Sequence, residues 1–145
     1  MKQLVVAALL VAAGLAGAYF YVRTTTYSPL VRMAAPEGFT ITAVQTPVAN
    51  REACDAANRR FSDPIKKGCP GCKFEIERCA GSLSGDEKAL AGGDPLNDYS
   101  VSAIGIRMLV TGPAKLAKPV CEQLAGDIVK NGVKTAACIY PGFKR

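Results

Sequence analysis

Six cysteines lie between residues 54 and 138 of a chain that contains no histidine. That pattern constrains the fold more than any other feature. Without imidazole there is no His-ligated zinc or haem and no Ser-His or Cys-His catalysis. The one C-x-x-C, Cys69-Pro-Gly-Cys72, has no second pair to complete a four-thiolate site. An even set of cysteines in so short a domain points to a disulfide framework and an oxidising compartment.

An internal repeat suggests the pairing. Glu52-Ala-Cys54-Asp opens one helical stretch and Pro119-Val-Cys121-Glu another. Lys67-Gly68 and Asn131-Gly132 end them, and Phe74-Glu-Ile-Glu-Arg-Cys79 and Val133-Lys-Thr-Ala-Ala-Cys138 follow. A helix and the strand after it run antiparallel, which brings a cysteine near the helix start close to one at the strand end. The expected bonds are Cys54–Cys79 and Cys121–Cys138, which leaves Cys69–Cys72. One feature opposes the first bond. Cys79 is in phase with Glu75 and Glu77, not with the apolar Phe74 and Ile76, so a bulge or the strand's end must turn it round.

Ahead of the cysteines, Leu4 to Val22 is an uncharged run between Lys2 and Arg23. As a helix it would span about 28 Å, close to the hydrocarbon core of a bilayer. Tyr19, Phe20 and Tyr21 lie at its far end, where amphipathic rings favour the interface. Residues 1–23 are read as a membrane anchor. The alternative is a cleaved signal peptide, with Ala16-Gly17-Ala18 as its processing site. The cysteines orient the chain, with the N-terminus in the cytoplasm and the domain in the periplasm; cleavage would leave a soluble periplasmic protein.

Residues 24–38 read as a stem and 39–145 as the domain. Phe39-Thr-Ile-Thr-Ala-Val44 alternates as a strand. Asn50 caps a helix running to about Asp63, closed by Pro64 and Gly68. Lys73 to Cys79 is a second strand. Residues 80–98 form a connection with one helical turn, opened by the capping box Ser84-Gly-Asp-Glu87. Tyr99 to Thr111 reads as one long strand bulged at Gly105. A second helix follows Gly112-Pro113 and ends near Asn131-Gly132, and Val133 to Ile139 is the last strand. The order predicts an α+β, ferredoxin-like βαββαβ fold, with two helices on one face of a four-stranded antiparallel sheet.

Function is less constrained. Lys and Arg outnumber Asp and Glu by 18 to 12, and Arg59, Arg60, Lys66 and Lys67 cluster as a candidate interaction surface. Gly81-Ser-Leu-Ser-Gly85 lacks the pattern of a nucleophile elbow. No catalytic residue, metal site or cofactor is assigned, and the aromatic-interleaved basic sheet of an RNA binder is missing. Arg107-Met-Leu-Val-Thr-Gly-Pro113 resembles the second-half strand and turn of sporulation-related-repeat domains. Their Gln-x-Gly-Ser-Phe-like opening strand has no counterpart in Phe39 to Thr46. The resemblance implies an inner-membrane anchor and peptidoglycan binding. The expectation is a non-enzymatic, single-pass envelope protein, held in the membrane through residues 4–22, whose domain binds a protein partner. The alternatives are a binder of peptidoglycan or an anionic glycan, and a thiol–disulfide oxidoreductase working through Cys69 and Cys72.

Overall fold

The structure, a computed structural model, describes residues 25–142. The expected anchor, residues 1–23, lies outside them. Among the described residues no helix is long and apolar enough to cross a membrane.

The elements in chain order are β1 (Ser28–Ala34), β2 (Thr40–Gln45), α1 (Arg51–Gly68), β3 (Lys73–Ala80), α2 (Gly85–Gly92), β4 (Tyr99–Ala103), β5 (Ile106–Thr111), α3 (Ala114–Lys130) and β6 (Ala136–Ile139). The strands form one six-stranded sheet, ordered β3-β1-β2-β5-β4-β6, with every neighbouring pair antiparallel.

This overturns the four-stranded ferredoxin-like expectation, for two reasons. The first is β1, which lies inside the expected stem. Leu30 and Val31 are both buried, because helices cover both faces of the sheet there. A strand covered on both sides shows no alternation to read. The second is Gly105. At φ +83° it lets the chain reverse, so Tyr99 to Thr111 is a hairpin, with Ala103 opposite Ile106 across a two-residue loop. Apolar Ile104 and Ile106 flank the glycine and hide the turn.

Each half is therefore ββαβ. The order β3-β1-β2 in the first half is matched by β6-β4-β5 in the second, with β2 and β5 joined at the centre. The repeat that shows in the cysteines thus extends over two further strands.

Helices α1 and α3 pack on one face. Their core contains Met33, Ile41, Ala43, Val101, Met108, Val110, Ala117, Cys121 and Ala125. Asn50 caps α1, its side-chain oxygen accepting from the Ala53 N–H at 2.8 Å. Pro64 does not end α1, which continues to Gly68. Phe61 and Ile65 on either side of it pack against the core and hold the turn despite the missing N–H. Pro119 is carried within α3 in the same way.

The other face holds a smaller core of Leu30, Val44, Leu90 and Leu109, in which Leu90 comes from α2. The connection between halves is thus a covering element. Ser84 is its N-cap, but its side chain makes no capping bond. Glu87 turns to the sheet instead, 3.0 Å from the Arg78 guanidinium and 3.9 Å from that of Arg32.

A bulge settles the phase of β3. Arg32 pairs with Ile76 and Met33 with Phe74, so Glu75 is the extra residue. Phe74 packs on the α1 side before it. After it Ile76 joins the α2 side, while Glu77 and Cys79 turn to α1.

Candidate functional site

Three disulfides are formed, Cys54–Cys79, Cys121–Cys138 and Cys69–Cys72, with Cα separations of 5.9, 5.4 and 5.4 Å. Two of them tie the start of a helix to the strand that follows it. They indicate an oxidising, non-cytoplasmic compartment.

Cys69–Cys72 closes the turn between α1 and β3. The Cys69 N–H donates to the Ile65 carbonyl at 2.8 Å, which places Cys69 at the C-terminal end of α1. That end carries the negative pole of the helix and disfavours a thiolate; redox dithiols use the opposite end. A side chain at Gly71 would press on Pro36, 3.2 Å away, so the turn is also packed against the β1–β2 loop.

The basic cluster divides into two rows on α1. At 3.6 residues per turn Arg59 lines up with Lys66, and Arg60 with Lys67. Lys66 is already engaged. Its ammonium is 2.7 Å from Glu77 and 4.9 Å from the centre of the Phe74 ring. The Lys66 hydrogen bond holds the Glu77 carboxyl below the usual carboxylate range; burial opposes this, Ser62 adds a second hydrogen bond, and Arg59 a weaker charge effect. Arg60 and Lys67 are exposed. The four do not converge on a pocket.

The sequence reading missed a cleft on the α2 side of the sheet. Helix α2 covers β2 and β5 and leaves the β4–β6 part of that face open. The cleft has a volume of about 220 Å³. Ser100, Ser102 and Ile139 form its floor, Arg107 its inner end, and Leu90, Gly92 to Asp94, Leu96 and Asp98 its wall. Arg107 is held by the carbonyls of Leu90 and Ala91, each 3.2 Å from Nη1. Gly93, at φ +77°, closes α2 above it, and a Cβ there would sit 2.3 Å from Nη1. The two carboxylates of the lining, Asp94 and Asp98, outnumber this engaged arginine. The period-2 pattern Ser100-Val101-Ser102 was the one sequence signal of a polar open face.

The cleft borders β6. The two sheet edges differ in protection. β3 has the bulge and carries Lys73, Glu75, Glu77 and Arg78. β6 is Ala-Ala-Cys-Ile, without charge or proline, and its outer side pairs with no strand among the described residues. Just beyond it Tyr140 donates to Glu122 of α3, packs edge-on against Tyr99 at 5.5 Å and lies 5.6 Å from the Lys118 ammonium. The hydrogen bond to Glu122 pushes the Tyr140 phenol above its ordinary value.

Among the described residues no three of His, Cys, Asp and Glu come together as a metal site. In comparisons with known proteins the chain matches no family model, no curated protein and no solved structure.

Proposed function

We propose that the chain is a single-pass envelope protein, anchored through residues 4–22, whose exported domain binds a protein partner by taking an extended segment of it alongside β6. The observation that carries this reading is the bare β6 edge beside an open cleft. An added strand gains main-chain hydrogen bonds from such an edge, and alternate side chains reach pockets on the two faces. Ala137 lies opposite Ser102 and is small, so a long side chain crosses it into the cleft. Asp94 and Asp98 favour a lysine or arginine there. The disulfides support the periplasmic location. The position of Cys69 at a helix C-terminus favours a staple over redox chemistry.

The test is co-purification of the full chain from its own membranes in gentle detergent, repeated with Ala137→Lys. A stoichiometric partner should be lost with Ala137→Lys and kept with the double variant Arg59→Ala, Arg60→Ala. In the complex the outward-pointing amides of 136–139, those not bonded to β4, should gain hydrogen-exchange protection. Sedimentation with cell-wall sacculi that depends on Arg59 and Arg60, with no protection of β6, would replace this reading with glycan binding.

A further inference from the structure

The registers place several features at one end of the sheet. Tyr27 bridges Val48, Ser28 pairs with Ala80, the Thr46 N–H donates to the Gly105 carbonyl, and Ala103 pairs with Ala136. The start of β1, the start of α1, the β4–β5 hairpin tip and the loop before β6 therefore share that end. The tip is Ile104, 76% exposed, the most exposed large apolar residue among those described. Two-residue hairpin loops normally hold Asn, Asp or Gly at such a position. Val129, 46% exposed, lies in the last turn of α3, which leads to the same end. Lys134 and Thr135 line a shallow depression with Ile104.

The chain leads back from this end to the apolar run. Only Arg23 and Thr24 separate Val22 from the first described residue. The three steps from Val22 to Thr25, fully extended, reach about 11 Å. Ile104 is three strands away from β1, about 14 Å at the usual spacing. A domain tethered this closely keeps its hairpin tip within reach of the bilayer. Arg51, Lys130 and Lys134 are bases at this end and Glu52, Asp55 and Asp127 acids, with Lys130 paired to Asp127 and Arg107 just inside the hairpin tip held by α2 carbonyls.

We infer that this end of the sheet rests on the membrane surface, with Ile104 inserted among the lipids and Lys134 beside anionic headgroups. The inference rests on the anchor reading above and adds a second, peripheral contact to it. An exposed aliphatic side chain with neighbouring bases is the chemistry of an interfacial contact. The contact fixes the domain's tilt, with β6 running away from the bilayer from Ala136 to Ile139.

The chain has no tryptophan, so single introduced tryptophans report position. The full chain is reconstituted in vesicles of phosphatidylcholine with or without phosphatidylglycerol, the acyl chains brominated as quenchers. Thr46→Trp and Ile104→Trp report the end in question, and Glu37→Trp, in the β1–β2 loop, the opposite end. Bromolipid should quench the first two at least twofold more than Glu37→Trp. Adding Ile104→Ser to Thr46→Trp should reduce its quenching, and Lys134→Glu should reduce it only in the anionic vesicles. Equal quenching at both ends, with the protein still in the vesicles after carbonate washing, overturns the contact and leaves the anchor standing. Release of the chain by carbonate overturns the anchor and with it this inference.

Discussion

Two ionisable side chains report on how single residues tie the layers together. Glu77 faces α1 only because the bulge at Glu75 shifts the phase of β3, and there it meets Lys66 and Ser62 at 2.7 Å each. Its carboxyl is held below the ordinary range, chiefly by Lys66. A lowered folded-state value means stability that is present above the unfolded value and is lost as pH falls through the folded one. Glu77→Gln should therefore cost less than about 1 kcal/mol at pH 7, as befits a half-exposed pair, and should flatten the acid side of the stability–pH curve measured by urea unfolding. Tyr140 shows the opposite shift. Its phenol donates to Glu122 and so resists ionisation. In a spectrophotometric alkaline titration Glu122→Gln should move the last part of the tyrosinate absorbance rise to lower pH than in the unaltered chain. At Gly93 the constraint is steric, since φ +77° and the Arg107 guanidinium exclude a Cβ. Gly93→Ala should loosen the end of α2 and raise hydrogen exchange at residues 90–94.

Among the elements, α2 and the disulfides carry distinct loads. Leu90 is the apolar plug of the smaller core, 2% exposed over Leu30, Val44 and Leu109. Leu90→Ala should cost about 2–5 kcal/mol by removing a buried side chain and leaving a cavity. The long bridges close loops of 25 and 17 residues and the short one a loop of 3. In the chain-entropy model the short bridge contributes about 1.5–2 kcal/mol less than the long ones. Replacing Cys69 and Cys72 together by Ser should lower the denaturation midpoint less than replacing Cys121 and Cys138. The two long helices were legible in the sequence, as were the paired cysteines, because spacing within a helix–strand unit dictates which thiols meet. β1 was not, since burial on both faces erased its alternation. The hairpin was not, since its turn residue Gly105 sits between two isoleucines. The cleft was hidden for a third reason. Its wall and floor come from a connection and three strands that only the sheet order brings together, and β6 is too short and too rich in alanine to signal a face.

For the whole molecule, the mirrored order β3-β1-β2 against β6-β4-β5 raises the question of whether the halves are separable. The main core argues that they are not. Met33, Ile41 and Ala43 come from the first half, and Val101, Met108, Val110 and the α3 residues from the second, in one cluster. Ala43 and Met108 are direct partners across the β2–β5 seam, 0% and 3% exposed. Helix α2 spans the same seam from the other side, with Leu90 between Val44 of β2 and Leu109 of β5. Neither half can expose its seam strand without exposing both cores. With the disulfides intact, unfolding should therefore be a single transition, with the same midpoint by far-ultraviolet circular dichroism and by the fluorescence of a tryptophan placed in either half, at Glu37 or at Lys118. Ala43→Leu should overfill the seam and cost about 1–3 kcal/mol, moving both reporters together. Two separated midpoints, or a shift confined to the Glu37→Trp reporter, would show that the ββαβ units fold as independent bodies and that the seam is only a contact between them.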